Sequence, residues 1–548
     1  MATPSSQGAP GSPRHAAAEA DVDAVVVGAG FAGLYMLHRL RAMGLRVRVF
    51  EKGDGVGGTW YWNRYPGARC DTDSVEYSYQ FSDALQQEWR WTERFATQPE
   101  ILRYLEHVAD RFDLRRDIAF GTTVTEAAFD DAAGCWRIVT DDGARLSATY
   151  CVMATGCLSA VNRPAFDGLD RFAGAWYHTG AWPHEEVSFA GQHVGVVGTG
   201  SSAIQAIPLI AAEARHLTVF QRQANYTVPA RNAPLDEAEY AAIRESYGEL
   251  RRQASETPTG CWWAVNPAAA EEMSAEERER ELEDRWQVGG LRMYGVFKDV
   301  LVNGEANDIA ASFIRDKIRA QVRDPEVAAL LSPRSYVGCK RICLDTDYYA
   351  TFNRPNVTLV DISEAPIEEI TPTGLRSGGR DYALDAIVFA TGYDAMTGPL
   401  FRIDIRGRGG RPLQATWADG PRTYLGLAVE GFPNLFTITG PTSPSVLTNM
   451  VPAIEQHVEW IAGCIAHARG TGRPCIEASR AAEDSWMAHH EEVAGGTLFP
   501  SCNSWYVGAN VDGKPRRVMP YTGGFPDYVE TCDAVAANGY EGFTLSAA

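Results

Sequence analysis

No stretch of the sequence reaches the ~18 consecutive apolar residues that a membrane-crossing helix needs, so no membrane partner is expected. Cysteine is present without a pattern. The 11 cysteines are an odd count, scattered and without a CxxC pair, so neither a zinc site nor a disulfide framework is indicated and no metal is expected. A reducing cytoplasm fits this usage, and Cys339 and Cys343, which flank Lys340 and Arg341, read as small buried side chains. Basic charge is scarce too: 50 Lys and Arg against 70 Asp and Glu leave a net charge of −20. A nucleic-acid partner needs a basic face and is not expected, although a local basic pocket for one phosphate remains compatible with this balance. Residues 1–20, rich in Ala, Ser, Gly and Pro, lack the apolar core of a signal peptide and read as a disordered tail.

What is present is the composition of a soluble enzyme, 45% hydrophobic and 22% charged. At 548 residues the chain is too long for one ordinary core, and about 150 residues per domain gives two to four units. From Asp23 an apolar strand, Ala-Val-Val-Val, runs into Gly28-Ala-Gly30-Phe-Ala-Gly33 and then a helix beginning near Leu34. In this dinucleotide-binding unit Gly28 permits the tight turn, Gly30 lets backbone N–H groups approach a pyrophosphate, and Gly33 allows close packing of helix on strand. The next strand, Arg46 to Phe50, ends in Glu51, 23 positions beyond Gly28, an acid placed to bind a ribose hydroxyl pair.

Gly57-Gly58-Thr59-Trp60-Tyr-Trp62 and the following residues to Asp71 are too rich in Gly and aromatics for a helix and read as a loop over a flat ring. Asp71, after so apolar a loop, needs a positive partner if it is buried. Thr97 to Glu100 opens an amphipathic helix with Ile101, Leu102, Leu105 and Val108 as its stripe. Strands from Val124 and Trp136, with a turn at Asp141-Asp142-Gly143, predict a small β-meander. A second glycine turn follows, Gly198-Thr199-Gly200-Ser201-Ser202, between the strand Gln192 to Val197 and a helix through Ile204, Ile207 and Ile210. Where the first unit has Glu51, this one has Gln221-Arg222. A cation there favours the extra phosphate of NADP(H) over the free hydroxyl of NAD(H). From about Asn225 to Ser335 the strand signal disappears, and a capping box at Ser274 to Glu277 with a stripe through Phe313, Ile314, Ile318 and Val322 predicts an inserted helical subdomain. The charged run Glu276 to Asp284 reads as a solvated helix face.

Between the glycine motifs lies Phe172-Ala-Gly174-Ala-Trp176-Tyr177-His178-Thr-Gly180-Ala-Trp182-Pro183, which belongs to neither and reads as a hinge. A histidine among aromatics is by itself more often packed core than chemistry. The spacing Phe-x-Gly-x-x-x-His-x-x-x-Trp-Pro, the longer segment Gly57 to Asp71, and Asn503-Ser-Trp505-Tyr-Val-Gly508-Ala-Asn510 together resemble the type I Baeyer–Villiger monooxygenases, and the paired Ala154-Thr155-Gly156 and Ala390-Thr391-Gly392 resemble the segments at which flavoproteins with two dinucleotide domains pass from one domain to the other. The resemblance runs from Asp23 to Phe543.

The resemblance implies an α/β fold of two dinucleotide-binding (Rossmann-like) domains with an inserted helical subdomain. The expected boundaries are residues 21–153 and 390–548 for FAD, 154–224 and 336–389 for NADP, and 225–335 for the insert. It implies bound FAD, consumption of NADPH with NADP+ retained, and conversion of a small-molecule ketone and O2 to an ester or lactone through a peroxide at flavin C4a. Such a peroxide anion needs a permanent positive charge beside it, and arginine cannot neutralise itself. By resemblance Arg341 takes that role, Asp71 pairs with it, Lys340 joins Arg222 on the NADP phosphate, Trp505 lies on a mobile loop over NADP, and Met450 lies near the flavin. The same likeness puts Gly58, Thr59, Trp60, Arg69, Tyr77, Val124, Gln205 and Gln223 among the cofactor-binding residues. The loop Ser443 to Thr448 looks more like the phenylacetone and steroid monooxygenase branch, which implies aromatic, cyclic or other bulky ketones. Cys157 stands where the phenylacetone type carries glutamine. A monomer or weak homo-oligomer is expected. An N- or S-oxidising flavin monooxygenase and a non-catalytic FAD- and NADP-binding, redox-responsive module remain as alternatives; a disulfide reductase fits less well, because Cys70 stands alone near the first motif.

Overall fold

The computed structural model describes residues 20–547, so the tail read over residues 1–20 lies, except for its last residue, outside the described residues. Two sheets organise the rest, the first mixed and the second all parallel. The first has the strand Val22–Val27 at its centre, between Val47–Phe50 on one side and Arg145–Met153 on the other, all parallel. The meander is there as expected: Val124–Asp130, Cys135–Thr140 and Arg145–Met153 run antiparallel in succession. Ile118–Ala119 pairs with Val47–Phe50, and two strands from far along the chain complete this sheet. Asp404–Arg406 pairs with Val124–Asp130, and Leu435–Thr437 pairs with Arg145–Met153. The second sheet orders Val357–Asp361, His216–Gln221, His193–Val197, Ala386–Phe389 and Ala175–His178, every pairing parallel. Its three central strands are near-continuous apolar runs, as strands covered on both faces must be.

Both glycine turns occur where a parallel strand hands over to a helix, Phe31–Ala42 in the first sheet and Ser201–Glu213 in the second. Gly28 and Gly198 have φ of 106° and 110°, and a Cβ on either would stand 2.5 or 2.6 Å from the carbonyl oxygen of Ala154 or Ala390. Those two carbonyls belong to the paired Ala-Thr-Gly segments. Each glycine turn is therefore packed directly against one of the crossings between the halves of the molecule, and any side chain there would separate them.

The amphipathic helix begins at Gln98, and the Ser274 capping box forms with both of its reciprocal hydrogen bonds. The charged helix Ala275–Val288 buries only Leu282 and Trp286, as a solvated face should. Two expectations are corrected. The Gly- and aromatic-rich segment is not all loop: after Gly58, at φ 52°, residues Thr59–Trp62 make one helical turn that buries Trp60 and Tyr61, tertiary packing having overridden a weak local preference. Nor is the insert purely helical, since Thr227–Pro229 forms a short strand parallel to Cys343–Asp345. That pairing places the end of the Lys340–Arg341 segment beside the start of the insert.

Gly33 meets the tightest limit in the first turn, where an added Cβ would fall 1.8 Å from the Gly28 carbonyl oxygen. Gly33→Ala is expected to cost about 1–3 kcal/mol of stability by forcing helix from strand. A thermal unfolding midpoint equal to that of the wild type would contradict this close approach.

Candidate active site

A cavity of about 940 Å³ opens between the two sheets and the insert. Its walls include Thr59, Trp60, Arg69, Asp71, Tyr77 and Met450 from the first half of the expected site, and Gly200, Ser201, Ser202, Gln205, Arg222 and Gln223 from the second. Lys340, Arg341 and Trp505 also face it. Gly28, Gly30, Gly33, Glu51, Gly58, Val124, Gly198 and Thr199 are not on its wall. Val124 is packed in a core with Val25, Val27 and Phe50, and the glycines shape the turns behind the cavity.

Arg341 and Asp71, 270 residues apart, meet in a two-pronged ion pair: Nε donates to one carboxylate oxygen at 2.5 Å and Nη2 to the other at 2.9 Å. Nη1 donates to the Val446 carbonyl at 2.7 Å. Burial works against the guanidinium charge, but Asp71 more than offsets it, and the pKa of Arg341 is raised above its ordinary value. Three of the five N–H groups of an arginine are thus committed and two remain for a partner in the cavity. The neighbouring Ile342 N–H is held by the Tyr294 hydroxyl at 2.8 Å, so backbone and side chain are both anchored.

The sheets are also stitched together. Gln205, on the second glycine helix, donates to the Arg69 carbonyl at 3.1 Å and accepts from the Tyr65 hydroxyl at 2.7 Å. Tyr393, just beyond the second Ala-Thr-Gly, hydrogen-bonds Asn63 of the aromatic segment. The hinge stretch forms the edge strand Ala175–His178 and the turn after it. His178 Nδ1 accepts from the Gly180 N–H at 3.0 Å, which leaves Nε2 to donate towards Thr391 at 3.1 Å. Burial pushes His178 down to about 4, so it is neutral near pH 7.

Both cofactors expected from the sequence fit the donors present. At the first motif a Cβ on Gly58 would stand 2.9 Å from the Gly30 Cα, so glycine faces glycine where a pyrophosphate would thread. Glu51 sits behind with each carboxylate oxygen accepting one backbone N–H, from Ala29 and from Gly53, and retaining lone pairs for a ribose. Burial raises its pKa. At the second motif nothing lies within 4 Å of a Cβ built on Gly200, and the helix N-terminus at Ser201 opens into the cavity. Beside it Lys340 donates to the Gln223 side chain at 3.0 Å, and its pKa is lowered by burial and by the charge of Arg222. Two cations held so close call for an anion, which a nucleotide phosphate supplies.

Lys514 and Asp394 carried no sequence signal, and Asn510 was marked only as part of the Trp505 segment. Lys514 is nearly buried and pairs with Asp394 at 2.5 Å and with the Ala395 carbonyl at 2.6 Å, while Asn510 donates to the Tyr393 carbonyl at 2.7 Å. These contacts pin the Trp505 segment to the second Ala-Thr-Gly crossing. Cys339 is not a free buried side chain as the sequence suggested: it forms a disulfide with Cys502, 163 residues away, because the Trp505 segment folds back over the Lys340–Arg341 segment. The remaining nine cysteines are free and buried. Cys157 lies behind the cavity wall, packed with Met396, Val446 and Met450, and burial raises its pKa.

Two sheets, each handing a glycine turn on to a helix, with a cavity between them lined from both halves, define a flavoprotein oxidoreductase with two dinucleotide sites. The pyridine nucleotide-disulphide oxidoreductase family model matches residues 25–238. A Baeyer–Villiger monooxygenase of Pseudooceanicola batsensis is 45% identical over 95% of this chain and 96% of its own length. Phenazine N-monooxygenase PhzNO1 of Lysobacter antibioticus is 44% identical over 95% and 97%. A solved oxidised steroid monooxygenase bound to NADP superposes with a TM-score of 0.92 at 52% identity, covering 96% of this chain and all of that one. The chain belongs to the Baeyer–Villiger monooxygenases, NADPH- and O2-dependent flavoprotein enzymes that turn ketones into esters or lactones. Among the described residues no helix is long and apolar enough to cross a membrane.

Two outcomes are expected. Arg222→Ala and Lys340→Ala should each raise KM for NADPH about 10- to 100-fold, as the loss of a charged hydrogen bond does, with KM for NADH little changed; equal effects on both nucleotides would contradict a phosphate contact. For His178 the folded pKa lies below the unfolded one, so the unfolded chain takes up the proton first and this residue destabilises the fold as pH falls from about 6.5 towards about 4. In His178→Gln that contribution is absent, and the difference in unfolding midpoint between variant and wild type should shift in the variant's favour across this window and stay constant above it.

Proposed function

We propose that this enzyme oxidises bulky aromatic, cyclic or steroidal ketones, with Arg341 as the residue that stabilises charge on the reacting atoms and Asp71 as the residue that aims it. The observation that carries this reading is the two-pronged Arg341–Asp71 pair on the wall of a cavity lined by the Thr59 to Asp71 segment and by the second glycine turn. Bound FAD supplies the oxygen chemistry and NADPH the hydride. The chain's own residues do the rest.

Arg341 keeps its charge at any working pH, and its two uncommitted N–H groups lie where a ketone oxygen would gather negative charge. Asp71 and the Val446 carbonyl hold the guanidinium plane, so no reorganisation is needed as that charge develops. Arg222, Lys340 and the helix N-terminus at Ser201 bind the nicotinamide nucleotide by its phosphates, and Trp505 covers it. Gly30, Glu51, Gly58, Thr59, Trp60 and Tyr77 hold the flavin nucleotide. Leu158, Val446, Thr448 and Met450 give the cavity an apolar side beside Arg341. That lining supports a bulky, apolar ketone. His178, neutral and hydrogen-bonded within the hinge turn, acts through the set of the two sheets and not by proton transfer.

A second reading, oxidation of a ring nitrogen, is favoured by the similarity to the phenazine N-monooxygenase. One assay separates them. With purified enzyme in air, NADPH consumption is followed with aromatic, cyclic and steroidal ketones and with phenazines, and products are identified by mass. Ester or lactone with little H2O2 is the expected result; N-oxide from phenazines with unchanged ketones would favour the second reading. Arg341→Ala should retain FAD and flavin reduction by NADPH but lose ester formation by at least about 100-fold, the scale for removing one charge-stabilising donor. Wild-type ester yield from that variant would remove Arg341 from the reaction.

A further inference from the structure

The disulfide lies where two functional segments cross. Cys339 directly precedes Lys340 and Arg341, and Cys502 comes three residues before Trp505. The contacts that hold the far limb of the Trp505 segment, Lys514 with Asp394 and Asn510 with the Tyr393 carbonyl, are reversible ion-pair and hydrogen-bond contacts to the second Ala-Thr-Gly crossing. On the near limb the tie to the arginine segment is covalent. No other pair of this chain's cysteines is joined, so the bond is placed at one location and not spread through the fold.

The bond also spans a wall. Cys339 lines the large cavity, whereas Cys502 lines a separate one of about 300 Å³ with Pro500, Val507, Arg516, Arg517 and Val518. Cys502 is buried, and the second cavity borders it without including any of the nucleotide-site residues named above. Of the cavity's two arginines, Arg517 is paired with Glu491 at 3.2 Å, and Arg516, which donates to the Asn503 side chain, is left to favour a thiolate over a thiol.

We propose that Cys339 and Cys502 form a reducible thiol–disulfide site that clamps the Trp505 segment to the Arg341 segment, so that its redox state sets how firmly NADP is held. The proposal rests on the reading that Trp505 covers the nicotinamide nucleotide. A dithiol is the reductant. One of its thiolates attacks the Cys502 sulfur, forming a mixed disulfide and releasing Cys339 as a thiolate that takes up a proton. The second thiol of the reductant, as its thiolate, then displaces Cys502, which is protonated in turn. The pair gains two electrons and two protons, and the reductant leaves as its own disulfide. In the oxidised enzyme the segment is fixed over the cavity. In the reduced enzyme the covalent tie is gone, the segment is retained by the Lys514 and Asn510 contacts and by the packing of Tyr506 against Phe499, Met396 and Val446, and it opens more often.

The test uses the full-length, FAD-loaded enzyme purified in air. Alkylation under denaturing conditions, read by mass, should find nine free thiols, rising to eleven after native incubation with dithiothreitol. Reduction should weaken NADP+ binding about fivefold or more, within the usual range for coupled sites, and should raise H2O2 release from NADPH in air without ketone; glutathione disulfide should reverse both. Cys502→Ser should behave as the reduced enzyme whether or not dithiothreitol is present. Eleven alkylated thiols in the untreated enzyme, a bond that survives dithiothreitol, or reduced enzyme with unchanged NADP+ affinity would each overturn the proposal. Trp505→Ala separates its premise from the bond: unchanged NADP+ affinity in that variant overturns the reading of the segment, and the proposal with it, whatever the thiol count.

Discussion

A guanidinium withdrawn from most of its water needs a carboxylate held in plane with it, and the pairing of Arg341 with Asp71 imposes that demand across the whole molecule. Asp71 ends the aromatic segment of the first half, and Arg341 sits where the insert rejoins the second sheet. For the pair to form, both sheets, the insert and the loop that supplies the Val446 carbonyl must take up one arrangement. The cost of leaving either charge unpaired is what makes that arrangement specific. The short strand pairing of Thr227–Pro229 with Cys343–Asp345 and the Tyr294 hydroxyl on the Ile342 N–H serve the same end.

Around this pair the site is built from bare backbone and uncompensated positive charge. The glycine turns pack against the Ala154 and Ala390 carbonyls so tightly that neither tolerates a side chain, which brings both nucleotide positions up to the crossings between halves. Arg222 and Lys340 repel one another, and burial deepens that cost for Lys340. An anion that enters between them relieves it. This explains how a chain of net charge −20 can still select a nucleotide with an additional phosphate: the field that matters is local.

Much of this was legible in the linear order of residues. Strand, glycine turn, helix and terminal Glu51 or Arg222 are contiguous, so their geometry is local and periodicity exposes it. The meander, the capping box at Ser274 and the solvated charged helix were legible for the same reason. Less so was the turn at Thr59–Trp62, where burial of Trp60 and Tyr61 outweighed a glycine- and aromatic-rich composition. Lys514, Asp394 and Asn63 gave no signal, because each matters only through a partner more than a hundred residues away. Cys502 was hidden in the same manner, and an odd scatter of cysteines pointed away from any bridge.

By itself the sequence determined the two nucleotide-binding turns, the preference for an additional phosphate at the second, and, through the hinge and aromatic fingerprints, the family of the enzyme; each depends on neighbours within about 25 positions, where spacing dictates geometry. Tertiary structure alone decided that Arg341 points at Asp71, that Lys514 and Asn510 hold the Trp505 segment, and that Cys339 is bonded to Cys502. Those contacts join segments that sequence order keeps far apart, and whether two such segments meet is settled by how sheets and insert pack their buried faces, not by any residue's own preference.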